Sequence, residues 1–98
     1  MYAAVRRYEG IKDDAEAARL VGESFVPLLE GVEGFVAYYW IDAGDGLMAS
    51  LSVFDDKAGA DKSVEIAHQW IVDNAPGLFP NPPRVTEGLV VASAEKKK

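Results

Sequence analysis

One run, Gly34-Phe35-Val36-Ala37-Tyr38-Tyr39-Trp40-Ile41-Asp42, constrains the fold of this 98-residue chain more than any other stretch. Aromatic and β-branched residues packed into so short a segment predict a strand. A strand sends alternate side chains to opposite faces of its sheet. Phe35, Ala37, Tyr39 and Ile41 would share one face, and Val36, Tyr38 and Trp40 the other. Both faces are apolar, so both need cover.

The remaining elements fall in order around this strand. Tyr2 to Glu9 is short, β-favouring and stopped by Gly10, and predicts the first strand. Asp13 or Asp14 suits a helix N-cap, with Glu16 in the first turn, where carboxylates meet free backbone N–H groups. Ala17, Ala18, Val21, Ser24, Phe25, Leu28 and Leu29 then share a face at helical spacing, and Gly31 or Gly34 ends the helix. Pro27 removes one backbone donor and predicts a kink in the last turn. After the aromatic strand, Asp42-Ala43-Gly44-Asp45-Gly46 signals a hairpin, because Gly and Asp tolerate positive φ. Leu47 to Phe54 alternates as a third strand. A second helix runs from Asp55 or Asp56 to about Asn74. The prolines between Ala75 and Pro83 exclude helix and inner strand, and Arg84 to Ala92 closes the chain as a fourth strand.

The order β-α-β-β-α-β is the ferredoxin-like arrangement, an α+β fold with a four-stranded antiparallel sheet and two helices on one face. A chain of this length holds one core, placed here in residues 1–93, with 94–98 as a disordered lysine-rich tail. Two helices cover one side of a sheet and leave the other bare. Parity assigns Val5, Phe35, Ala37, Ile41, Leu47, Ala49, Leu51, Val53, Leu89 and Val91 to the face under the helices. Tyr2, Tyr8, Tyr38, Trp40, Met48 and Phe54, mixed with Arg6, Ser50 and Ser52, then occupy the bare face. Four or more aromatics at about 150–250 Å² each exceed the apolar patch that a monomer usually exposes. A homodimer joined through Tyr38, Trp40, Met48 and Phe54 is the expected solution.

Composition narrows the chemistry. There is no cysteine, which excludes disulfides, thiolate metal sites and a cysteine nucleophile. The net charge of −6 disfavours nucleic-acid partners. No segment reaches the roughly 18 unbroken apolar residues of a membrane span. The N-terminus carries Arg6, Arg7 and Glu9 and lacks an apolar secretory core, so a cytoplasmic protein is expected.

Met-Tyr-Ala-Ala-Val-Arg-Arg-Tyr-Glu-Gly, Phe35 to Asp42 with its Asp45-Gly46 turn, and Ser50-Leu51-Ser52-Val53-Phe54-Asp55 together resemble the antibiotic-biosynthesis-monooxygenase-like family. The likeness runs over residues 2 to about 92 and rests on structural motifs. It implies a dimeric α/β barrel with a cavity between helices and sheet in each subunit. It also implies metal- and cofactor-free oxidation of a small flat apolar or phenolic molecule. Haem-degrading relatives use an Asn, a Trp and a His; the first strand here has arginines and no asparagine, and Trp40 reads as facing the dimer partner, so haem degradation is not expected and no cofactor is assigned.

Within that frame His68, the only histidine, and Tyr39 are the candidate catalytic pair. Imidazole titrates near neutrality and can serve as a general base for a phenol. Tyr39, placed by parity under the helices, would mark the pocket with a hydroxyl that needs a polar partner. Trp70 and Phe25, on the two helices, would wall a flat ligand. Arg7 and Glu87 stand on neighbouring strands. A register pairing Val5 with Leu89 would set them opposite one another as an ion pair, or leave Arg7 free to polarise a substrate oxygen. The structural alternatives are ordinary ones: an exposed helix histidine, a core tryptophan, a tyrosine bonded to a backbone carbonyl. One histidine and no carboxylate cluster at ligand spacing argue against a metal site. The leading alternative for the whole chain is a non-catalytic dimeric ligand-binding or interaction module.

Overall fold

β1 (Tyr2–Tyr8), β2 (Phe35–Gly44), β3 (Leu47–Phe54) and β4 (Arg84–Leu89) form a single antiparallel sheet in the order β2-β3-β1-β4. The structure is a computed structural model and describes residues 1–96. The first and last strands are neighbours, and the helical segments lie on one face, as the ferredoxin-like arrangement requires. Of the tail expected over 94–98, Lys97 and Lys98 lie outside the described residues.

The first helical run has three parts: α1 (Asp14–Leu20), a π-helical stretch (Val21–Phe25) and α2 (Val26–Glu30). Asp13 caps it, its carboxylate accepting from the Glu16 N–H at 3.0 Å. Its buried residues are Ala17, Val21, Phe25 and Leu29, each four positions from the last. Strict four-residue spacing drifts around an α-helix of 3.6 residues per turn; the wider π turn offsets that drift and keeps the stripe on the sheet. Pro27, which lacks an N–H, follows directly at the start of α2, where the missing donor costs least. Leu28 falls off this stripe and is exposed.

α3 (Lys57–Asn74) begins at Asp56, whose side chain accepts from the Gly59 N–H at 3.1 Å. It lays Gly59, Ala60, Ser63 and Ala67 against the sheet, small residues that allow close approach, before Trp70 enters the core. The β2–β3 hairpin turns on Asp45 and Gly46, with φ of 54° and 77°. Positive φ at both central residues is the signature of the tight turn that matches strand twist. Gly46 is doubly constrained, because a Cβ there would lie 2.6 Å from the Ile11 carbonyl oxygen.

The sheet presents the opposite face to the helices from the one that strand parity assigned. Ala4, Arg6, Tyr8, Met48, Ser50, Ser52 and Phe54 are buried beneath the helices. Tyr38 and Trp40 pack against the same core. Val5, Tyr39 and Ile41 point outward, with Tyr39 59 % and Ile41 51 % exposed. Tyr38, Trp40, Met48 and Phe54 are therefore core residues and cannot form the expected dimer face. Volume explains the choice: the gap between sheet and helices needs large side chains, and the aromatics with Met48 fill it where shorter aliphatics would not. A break in the β2–β3 register between Phe35 and Ala37 adds a further inversion. Phe35 opposes Phe54 on the helix side, whereas Ala37 opposes Val53 on the outer side.

The β1–β4 register also differs from expectation. Glu87 stands opposite Ala4, Leu89 opposite Tyr2, and Arg7 opposite Arg84. Arg7 instead pairs with Glu9 at 3.2 Å on the exposed surface. The Arg7–Glu87 pair does not form.

Candidate functional site

Six rings occupy the middle of the space between helices and sheet. Tyr8 and Trp40 rise from the sheet, Phe25 and Trp70 descend from the helices, and Phe79 enters from the connector between α3 and β4. Tyr8 stacks at 5.1 Å from Phe79 and 5.6 Å from Trp40, and Phe25 at 5.4 Å from Trp70 and 5.6 Å from Tyr38, between ring centroids. The tilted and edge-on angles are those that aromatic quadrupoles favour. The Trp70 indole N–H donates to Ser24 Oγ at 2.9 Å, tying α3 to the first helical run. The rings leave only about 10 Å³ free among themselves.

Beside this cluster lies a larger cavity of about 520 Å³, between β1, α3 and the connector. Arg6 and Tyr8 form its floor, Ala67 and Ile71 one wall, and Phe79 with Pro80, Pro82 and Pro83 the other. His68 stands among the lining residues on the exposed side of α3. Tyr8, Ala67, Ile71 and Phe79 belong to the ring cluster and to the cavity wall at once.

Arg6 is the unusual member of this site. It is 1 % exposed, yet none of the ion pairs among the described residues includes it. Its Nη2 donates to Ser52 Oγ at a long 3.4 Å, and its guanidinium lies 5.7 Å from the Phe25 ring. Nε and Nη1 have no partner. Ser50 Oγ and Trp40 Nε1 are likewise buried without partners. Arg6 faces Ser50 across the β1–β3 register, and Ser50 faces Trp40 across β2–β3. Orphaned hydrogen-bonding groups thus form one row over three adjacent strands. Buried polar groups are nearly always paired, so such a row requires an explanation.

Two phenols flank Arg6. Burial pushes the Tyr38 hydroxyl up to about 12 from 10.0, a rise that nearby Arg6 and Ser50 only moderate. Burial raises Tyr8 as well, against the pull of Arg6. Both therefore stay protonated across neutral pH. Below about pH 10 the folded and unfolded chains both hold the Tyr38 proton. Between about 10 and 12 only the folded chain does, so stability falls as pH rises through that window. A spectrophotometric titration should show a late tyrosinate component that is absent from Tyr38→Phe. An unchanged curve in that variant would contradict the assignment.

The sequence-predicted residues scatter around this geometry. His68 lines the cavity, and Phe25 and Trp70 belong to the adjoining ring cluster. Tyr39 lies on the opposite face of the sheet and cannot act with them. Arg7 points away with it. Glu87 sits near Asp61 and Lys57 of α3; burial and the Asp61 carboxylate raise its pKa. Sequence reasoning missed Arg6, Tyr8, Ser50 and Phe79. The sequence signal was only the mixing of polar residues with large rings on one strand face, which does not say whether that face turns inward. Among the described residues no group of three His, Cys, Asp or Glu could hold a metal ion.

No protein-family model matches the chain. No curated protein matches it by sequence. Solved structures do resemble it over nearly their full length. A protein of unknown function from Nitrosomonas europaea shares 23 % identity with a TM-score of 0.79, covering 99 % of this chain and 95 % of its own. A Streptomyces coelicolor monooxygenase solved with nanaomycin D shares 13 % at a TM-score of 0.70, covering 98 % and 92 %. A dimeric ferredoxin-like protein from an uncultured marine organism shares 13 % at 0.61, covering 97 % of each chain. At these identities the likeness establishes the α+β ferredoxin-like fold. The monooxygenase among these structures shares that chain fold.

Proposed function

We propose that the chain binds a small flat apolar or phenolic molecule between its sheet and α3, as a homodimeric, monooxygenase-like protein. The cavity carries this reading: about 520 Å³ of mostly apolar space, with His68 at its rim and the Tyr8 phenol and the Arg6 cation at its inner end. The solved Streptomyces monooxygenase, which holds nanaomycin D, supports a small-molecule ligand for this fold. His68 is the one imidazole available to take a phenolic proton. The activated ring would then reduce dioxygen: phenol and O₂ give a quinone and water, with no other redox partner needed. Tyr39 has no part in this scheme.

A second reading has its own observation. The centre of the interior is filled by side chains, which suits a non-catalytic binding or interaction module. Oxygen uptake with 1-naphthol separates the two. The catalytic reading expects uptake with quinone absorbance, reduced about 10²-fold or more in His68→Ala. Binding without uptake, or uptake indifferent to His68, favours the module.

The dimer would form on the outer face of the sheet, where Val5, Tyr39 and Ile41 are exposed beside partly buried Leu51 and Val53. The dimeric ferredoxin-like protein from the marine organism supports pairing for this fold. Among the described residues no helix is long and apolar enough to cross a membrane.

A further inference from the structure

We propose that the row of orphaned donors centred on Arg6 is a carboxylate-binding site, so that the preferred ligand is a planar aromatic acid. The inference rests on the reading of the cavity as a ring-binding site and adds what the ring must carry. Three observations meet at one place. A guanidinium 1 % exposed lacks any carboxylate partner and leaves Nε and Nη1 unbonded. Its direct neighbours across the sheet, Ser50 and then Trp40, bury further groups without partners. Arg6 also lines the open cavity, so the cationic end of the row adjoins space that a ligand can enter.

The chemistry of the row specifies the guest. A guanidinium and an indole N–H only donate, and the serine hydroxyl can donate too. An acceptor with several lone pairs satisfies such a set, and a charged one also neutralises the buried cation. A carboxylate has both properties. A simple phenol has neither in sufficient degree, and the protein supplies the comparison. Tyr8 and Tyr38 stand beside Arg6, and burial holds both protonated against its attraction. A phenol brought to the same place would stay neutral for the same reason. The anion must therefore be one already ionised in water at neutral pH. Apart from Tyr8, His68 and Asn81, the rest of the cavity is alanine, isoleucine, valine and proline with the Phe79 ring, which suits a flat apolar body. The acid end would enter first, and the ring would lie under the connector.

The test uses the intact chain and two isosteric probes, 2-naphthoate and neutral 2-naphthamide, titrated by tryptophan fluorescence. The wild type should bind the acid about ten-fold more tightly than the amide or better, and Arg6→Gln should reduce the preference to within about two-fold. Arg19→Gln, which removes an exposed cation of the first helical run paired with Glu16 and Glu23, should keep the preference. Equal binding of acid and amide by the wild type overturns the carboxylate assignment and leaves ring binding standing. An acid preference that survives Arg6→Gln overturns the role of Arg6. Failure of both probes to bind overturns this inference and the proposed function together.

Discussion

Phe54→Ala is expected to lower the unfolding free energy by about 3–5 kcal/mol, read as a fall in the urea midpoint at an unchanged slope. Phe54 is fully buried at the end of β3. It opposes Tyr2 on one side and Phe35 on the other, with the Phe35 ring edge-on at 5.9 Å. Above it the first turn of α3 passes so closely that a Cβ added at Gly59 would stand 2.8–2.9 Å from Phe54 atoms. Truncation therefore leaves a cavity that rigid backbone on three sides prevents from closing. Domains of this kind have about 5–15 kcal/mol in total, so the variant should lie near the edge of folding. Gly59→Ala probes the same contact from the other side. In an exposed helix this change would stabilise by about 0.5–1 kcal/mol. Here the added methyl meets Phe54 Cβ as well as its ring, and overpacking of about 1–3 kcal/mol should reverse the sign. A loss below about 1 kcal/mol for Phe54→Ala would show that the site collapses and that the contact is weaker than its geometry indicates.

The second large effect concerns the outer face. Tyr39→Glu combined with Leu51→Glu should convert a dimer into a species of 10.6 kDa by light scattering at micromolar concentration. Tyr39 and Leu51 are direct partners in the β2–β3 register, so the two carboxylates would stand side by side. A two-fold axis would bring four of them into one apolar interface. Burying unpaired charges beside like charges costs several kcal/mol, which corresponds to weakening by about 10³-fold or more. The substitutions avoid the core, so the fold should survive with its melting transition intact. A monomeric wild type would remove the homodimer from the proposal, and so would a dimer indifferent to both substitutions.

Each element was legible because its signal is local. Asp13 and Asp56 each cap a helix at one of the two adjacent aspartates that the sequence offers there, and Asp45-Gly46 makes the turn its residues demand. The strands, their antiparallel pairing and the placing of helices on one side follow from length, period and connection. The site was less legible. His68, Phe25 and Trp70 could be picked as unusual residues on helices of known phase. Arg6, Tyr8 and Ser50 could not, because sequence gives the alternation of a strand without saying which face turns inward. The aliphatic face looked the better core by polarity, and the protein buries the other one. A register break at Val36 then separates Phe35 from Tyr39 and Ile41, which strict alternation had grouped together.

By itself the sequence determined what is short-range: capping, turns, helical and strand periods, and hence the order β-α-β-β-α-β. Only the tertiary structure decided which side of the sheet meets the helices. That choice depends on how summed side-chain volumes fill a gap of fixed width, and no window of neighbouring residues contains it. With it came the site, because inverting the sheet takes Arg6 from the surface to the floor of a cavity. A solvated arginine calls for no partner, and a buried one does.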